Sequence, residues 1–246
     1  GNNAITVNLP AVTQQIVFKK KGHRSVSKTI NPTGKFVQKV SAKLLTEYQA
    51  RLQEAPREFT NQNGIKLKLF IYPGHLKIGA PRSEKGQRAN EFQKRIKLTK
   101  SFYASIFEIT NGQYGKFKPS LKKSLGADNI PVTSIDWNEA ASFCNWLSKN
   151  EGLQLFYKIE NGGVNGFNKN TDGYRLLSEA EWEWLSRMAG KTKQTTFSWG
   201  NEMIIPPNAT NIADEGTKGQ MTFYVPNYND GYLSTAPVGS FKKEPS

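Results

Sequence analysis

The sequence predicts a mixed domain in which short helices and short strands are joined by long polar loops. Three observations support this. Apolar residues alternate over a few positions at a time, as strands require. Three capping boxes open helical runs of modest length. Beyond Gly200 regular periodicity gives way to Gly, Pro, Asn and Asp. The chain has 246 residues and a mass of 27.6 kDa, enough for one large domain or two small ones. Hydrophobic residues make up 37% and aromatics 11%, which excludes a disordered chain. One Cys excludes an internal disulfide, and two His exclude a three-histidine metal site within these residues.

The elements follow in order. Ala4 to Leu9 and Gln15 to Phe18 alternate and read as short strands, with a turn at Asn31-Pro32-Thr33-Gly34. Ser41 to Glu54 reads as a helix with Leu44, Leu45, Tyr48 and Leu52 on one face, ended by Pro56. Asn61 to Gly64 is a turn. Ile65 to Tyr72 alternates and then becomes fully apolar, as a strand does when it leaves an edge and enters a core. From Pro73 onward the short elements begin. Thr110-Asn111-Gly112-Gln113 opens a helix to about Phe117. Asp136-Trp137-Asn138-Glu139 opens another to about Lys149, and Ser178-Glu179-Ala180-Glu181 a third to about Met188. In each box the first side chain accepts from a free N–H of the first turn, and the fourth reaches back to the cap.

Charge is unevenly spread. Residues 1–60 hold ten Lys/Arg and three Asp/Glu, while the rest hold 24 and 17, so each part carries half of the +14. The first 60 residues therefore read as a basic N-terminal extension with one helix over 41–54. Its dense run, Lys19-Lys20-Lys21-Gly22-His23-Arg24 followed by Lys28, Lys35 and Lys39, suits a protein or acidic glycan partner through residues 19–39. Nucleic acid is not expected, because the aromatic interleaving of a nucleic-acid groove is missing. No apolar run approaches the ~20 residues of a membrane span, and no signal peptide opens the chain.

Seven segments carry a resemblance. Phe107-Glu108-Ile109-Thr110-Asn111-Gly112-Gln113-Tyr114 resembles the "EVTNxxY" segment of the sulfatase-modifying factor family, the formylglycine-generating-enzyme-like proteins. Ile78-Gly79-Ala80-Pro81 with Asn90-Glu91 looks like its "MGS…NE" opening. Pro131 to Ala140 is similar to "PVxxVxWxDA", and Gly173 to Glu183 to "GYRLPTEAEWE", the most specific of the seven. Trp199-Gly200-Asn201, Asn211-Ile212 and Thr235 to Phe241 follow in the family's order. The resemblance spans about 65–241 and implies a C-type-lectin-like α+β fold over 61–246, with short helices, short antiparallel strands and long loops. It also implies that the family's cysteine pair, which binds copper(I) and oxidises a sulfatase cysteine, falls past Ser246. The domain is thus expected to be C-terminally truncated, and copper is not expected in this chain. Two further departures set it apart from the sulfatase-activating branch: a loop over 150–172, and a short stretch between Phe117 and Pro131.

Other residues bear on chemistry. Cys144 shares an apolar stripe with Trp137, Ala140, Ala141 and Leu147, which reads as a core position. His23 and His75 are too isolated for ligation. Trp137, Trp182 and Trp199 read as core, Trp184 less so, and Glu181 with Arg187 as an ion pair tying helix to loop. The family's structural calcium positions fall on Asn211, Ile212, Asp230 and Tyr232. There the Asn and Asp give side-chain oxygens, and the other two give backbone carbonyls; Asp214 and Asn227 are further donors. A hard cation with six to eight oxygens pins a loop-rich segment well, whereas an Asn/Asp turn without metal has the same composition. Asn208-Ala209-Thr210 forms a glycosylation sequon. Two functions are expected: a non-catalytic binding or structural module, or the N-terminal part of a copper-dependent oxidoreductase making formylglycine in sulfatases.

Overall fold

The computed structural model describes residues 5–34, 37–72 and 74–241. Ala4, Lys35, Pro73 and the segment after Phe241 lie outside the described residues. The chain divides into two compact units, 1–56 and 57–246.

In the first unit, β1 (Gln14–Phe18) pairs antiparallel with β2 (Val26–Ile30), Gln14 opposite Ile30. Lys19, Lys20 and Lys21 sit exposed in the connection. Residues 5–9, expected as a strand, form none, and Ile5 and Val7 stay exposed. Alternation supplies a face but no partner for the backbone, so it is insufficient alone. The helix α1 (Glu47–Glu54) begins six residues later than expected. The reason is a capping box in which Thr46 accepts from the Gln49 N–H and Gln49 reaches back to the Thr46 N–H. Leu44 and Leu45 therefore precede the helix, and Tyr48 is exposed. Arg24 bridges both ends of α1, bonding Glu47 at 3.0 Å and also Glu54. Those hydrogen bonds, with Arg51 as a second donor, hold the Glu47 carboxyl down at about 2.

The second unit opens with β3 (Glu58–Thr60) and β4 (Lys66–Phe70), joined by the turn expected at 61–64. Asn61 Oδ1 accepts from the N–H groups of Asn63 and Ile65, and Gly64 takes φ 80°. The next strands are β5 (His75–Ile78), β6 (Lys94–Lys97) and β7 (Phe102–Ser105). β4 is the centre of the sheet β3-β4-β7, and β5 pairs with β6. Leu67 and Leu69 point inward while Lys66 points out, as the alternation requires. The apolar end enters the core only through Leu69 and Phe70: the strand stops at Phe70, and Ile71 is exposed.

The three boxed helices form where expected. They are α2 (Asn111–Phe117), α3 (Trp137–Asn150) and, later, α4 (Glu179–Arg187), capped by Thr110, Asp136 and Ser178 with both reciprocal bonds present in each. Between α3 and α4 the expected loop contains a hairpin, β8 (Tyr157–Glu160) and β9 (Gly163–Phe167). Asn161 and Gly162 connect them with φ of 51° and 78°, the left-handed pair of a tight hairpin turn. At Gly173 an added Cβ would stand 2.0 Å from the Gln154 carbonyl oxygen, so only glycine lets the chain pass there.

Three apolar clusters close the unit. Ile65, Leu67, Tyr114, Phe143 and Leu147 join the sheet to α2 and α3. Leu76, Ile78 and Trp184 join β5 to α4, with Phe70 and Phe102 edge-on to Trp184. Ala141, Cys144 and Tyr157 join α3 to the hairpin. The tryptophan expectations need correcting: Trp182 is 64% exposed and Trp137 50%, Trp199 is half-buried on Phe197, and Trp184 is the buried one. The α4 axis turns residue 184 toward β5, and 182, two positions earlier, to the other side.

Candidate metal centre

The segment after Gly200 has one short 3-10 turn, Glu215–Thr217, and no strand among the described residues. Its order comes from two buried carboxylates. Asp214 is 0% exposed and caps that turn. Its Oδ1 accepts from the Gly216 N–H at 2.8 Å and its Oδ2 from the Asp230 N–H at 2.5 Å. Asp230, also buried, accepts through Oδ2 from Asn211 Nδ2 at 3.0 Å and from the Ile212 N–H at 2.9 Å. Its Oδ1 accepts from the Tyr232 N–H at 2.8 Å. Asn211 Nδ2 also donates to the Ser234 carbonyl at 2.9 Å. Tyr228 braces the base of the loop, donating its hydroxyl to the Thr210 carbonyl at 2.7 Å and accepting from the Thr210 N–H.

Three of the residues named from the sequence, Asn211, Ile212 and Tyr232, are thus brought to the carboxylate of the fourth, Asp230, and Asp214 accepts from the Asp230 N–H. Asn227 is exposed and donates its N–H to Glu215, away from that carboxylate. Ile212 and Tyr232 approach through N–H groups that grip Asp230, a role no sequence pattern marks. The donor set suits a hard cation. A carboxylate has about four lone-pair sites, of which Asp230 uses three. The Asn211 amide oxygen has no donor. Among the described residues neither carboxylate has an ion-pair partner, and their oxygens rest on N–H groups alone. Among the described residues no cluster of three or more His, Cys, Asp or Glu side chains is present, so any cation here takes amide and carbonyl oxygens as well.

The other residues singled out from the sequence lie apart. Cys144 is 7% exposed in the α3–hairpin cluster, and burial pushes its thiol up to about 12. Glu181 pairs with Arg175, not Arg187: the fork donates at 2.6 and 2.7 Å, while the Ser178 N–H and hydroxyl add two more bonds. Burial works to raise the Glu181 carboxyl, but Arg175 and Ser178 outweigh it and hold it below the usual range. Arg187 bonds Glu84 and Glu183 instead. Glu183 also receives the Gly79 N–H on both oxygens, tying α4 to the end of β5.

A loop-rich α+β unit with capped short helices defines a class. Residues 52–246 match the family described as sulfatase-modifying factor enzyme 1-like domain, and the chain belongs to that family. Among curated proteins, the chaperone protein LppX of Paenibacillus barcinonensis is 26% identical over 48% of this chain and 46% of its own length. The formylglycine-generating enzyme of Mus musculus is 30% identical over 48% of this chain and 23% of its own length. That of Streptomyces coelicolor is 30% identical over 48% and 27%. The matched part thus spans less than half of each curated relative. The solved structure of PvdO from Pseudomonas aeruginosa aligns with a TM-score of 0.49 and 21% identity, over 76% of this chain and 67% of that one. No helix of the described residues is long and apolar enough to cross a membrane.

Proposed function

We propose that these 246 residues act as a binding or structural module of the sulfatase-modifying factor type, without formylglycine chemistry of their own. The observation that carries this is Cys144. It is the one thiol in the sequence, it is buried between α3 and the hairpin, and burial holds it in the protonated, unreactive form. The test is incubation of this chain with copper, oxygen and a sulfatase-derived cysteine peptide, read by mass spectrometry. The peptide is expected unchanged, and conversion of its cysteine to formylglycine overturns the reading. The second reading is the N-terminal part of a copper-dependent formylglycine-generating oxidoreductase, favoured by the 30% identity to two such enzymes. Its signature is peptide conversion by a longer product of the reading frame that carries a further cysteine pair.

The module is proposed to hold a structural calcium ion at Asn211, Ile212, Asp230 and Tyr232. Asn211 and Asp230 would supply side-chain oxygens, and Ile212 and Tyr232 carbonyls. Two buried carboxylates with no cationic partner among the described residues support this. A ligand bound only by the folded state stabilises it by about 2.7 kcal/mol at a hundred times its Kd. Melting in EDTA is therefore expected below melting in calcium, and an unmoved midpoint overturns the site. The exposed Lys19-Lys20-Lys21 turn is proposed as the contact for an acidic glycan or protein, since both carboxylates described in its unit already bond Arg24. Salt-sensitive retention on a sulfated polysaccharide that survives replacement of all three lysines by alanine overturns it.

A further inference from the structure

The charge of the second unit is concentrated. Residues 75–100 hold eight Lys/Arg and two Glu, which makes +6 of the +7 carried by residues 61–246. Both carboxylates are engaged: Glu84 pairs with Arg187, and Glu91 accepts from the Arg88 N–H. The segment folds as β5, a connection over 79–93, and β6. Gly79 lets the connection close on itself. It takes φ 80°, and an added Cβ would stand 2.5 Å from the Phe92 carbonyl oxygen. Beside it the Ala80 N–H donates to the Glu91 carbonyl at 2.8 Å. β6 therefore returns antiparallel to β5, with His75 opposite Lys97, Leu76 opposite Ile96, and Lys77 opposite Arg95.

The register sorts these pairs by face. Leu76, Ile78 and Ile96 pack with Trp184. Strand alternation then puts His75, Lys77, Arg95 and Lys97 together on the opposite face, and all four are exposed. Lys94 lies opposite Ile78, outside this set, and its ammonium rests 4.6 Å from the Phe92 ring centre. Among the described residues none of the four has an ion-pair or hydrogen-bond partner for its side chain. Side chains directly opposite start about 5 Å apart, and same-face neighbours along a strand about 7 Å. Those spacings fall below the ~8 Å screening length of physiological salt, so the charges act as one field. Like charges directly opposite destabilise a sheet. With Lys77 set against Arg95 and no carboxylate between them, the face is cationic and unbalanced.

We propose that this face of the β5–β6 sheet binds an acidic polysaccharide, with Lys77, Arg95 and Lys97 each meeting a sulfate or carboxylate and His75 adding a donor at the margin. The observations favour a glycan over other polyanions. Phe92 is 57% exposed but already met by Lys94, and the four residues offer no ring for a base to stack on. The other face of the sheet is packed with Trp184, so the two strands are not free to enter a duplex groove. No apolar side chain stands among the four to enter a bilayer. A flexible chain with anions on successive sugars asks only for charge at regular spacing, and lysines supply point charges. The face lies in a different unit from the Lys19-Lys20-Lys21 turn, and the inference holds whether or not the chain converts a cysteine peptide.

The experiment is calorimetric titration of the intact chain at physiological salt with a heparin octasaccharide, beside an oligothymidylate of equal charge and phosphatidylserine vesicles. The octasaccharide is expected to bind most tightly. Replacing Lys77, Arg95 and Lys97 together by Gln is expected to weaken it by about tenfold or more. The melting temperature of that variant should stay level or rise, since repulsion across the strands is relieved. A control that replaces Lys122, Lys123 and Lys169, three exposed lysines of the same unit, removes the same charge and is expected to weaken binding far less. Equal losses in the two variants overturn the proposal, because bulk charge then accounts for binding. So does tighter binding of the oligothymidylate or the vesicles, or a face variant that melts below its parent. Replacing Lys19, Lys20 and Lys21 reads the other contact separately. A face variant that binds as well as its parent sinks this site alone, and a Lys19-Lys20-Lys21 variant that does so sinks that contact alone.

Discussion

Residues 57–200 and residues 201–241 of the same unit are held by opposite means. The first region buries side chains: three apolar clusters hold its sheets to its helices, and each of its α-helices is opened by a reciprocal cap. The second has few buried apolar side chains, Tyr228 and Ala236 among them. It leaves Met203, Ile204, Phe223 and Leu233 exposed, and it is organised around Asp214 and Asp230. The lesson is that a loop becomes ordered when its backbone N–H groups find buried acceptors, even where no ladder forms.

The contrast is open to breaking. Trp184→Ala should cost the most, about 4 kcal/mol, as expected for truncating a large core aromatic. Chemical denaturation measures it, and a loss under 1 kcal/mol would place the core elsewhere. Asp214→Ala should follow at about 3 kcal/mol, because the Gly216 and Asp230 N–H groups lose their acceptor inside the protein. Its signature is local: amide exchange should quicken over 211–232 and stay slow through α3. Uniform quickening would mean that the two regions share one means of support. An acid limb comes next. Glu181 has a folded pKa below its ordinary value of 4.5. Its contribution is therefore complete above 4.5 and is lost as pH falls through the lowered value. Glu181→Gln should flatten that limb in a pH series of melting temperatures, and an unaltered limb would remove the Arg175 pair from the account. The smallest effect is Trp182→Ala, within about 0.5 kcal/mol, as for an exposed side chain. The two tryptophans lie two positions apart on one helix, so their ratio is a direct check on which face of α4 is buried.

How much of this was legible follows from range. The caps at Thr110, Asp136 and Ser178 use four consecutive residues each, and all three formed where the sequence placed them. The same signal at Thr46 to Gln49 marks the true start of α1, and the apolar pattern upstream obscured it. Asn161-Gly162 is a hairpin signal inside what otherwise reads as a loop, and its left-handed pair of φ angles makes the turn. The pairing of Glu181 with Arg175 was hidden because Arg175 lies outside the helix, three residues before the Ser178 cap, while Arg187 lies on it. Trp182 and Trp184 both match an aromatic core, and only the direction of α4 separates them. At the candidate metal centre, the resemblance names four residues, and Asn211, Ile212 and Tyr232 each bond the fourth, Asp230. The grip of the Ile212 and Tyr232 N–H groups was not legible, because backbone direction leaves no mark on residue type.

Cys144 gives the protein an internal clock. A single sulfhydryl sealed between α3 and the β8–β9 hairpin meets a bulky thiol reagent only when that seal opens. The pace of its alkylation in native buffer therefore counts openings of one seam, and does so without any label being engineered into the chain.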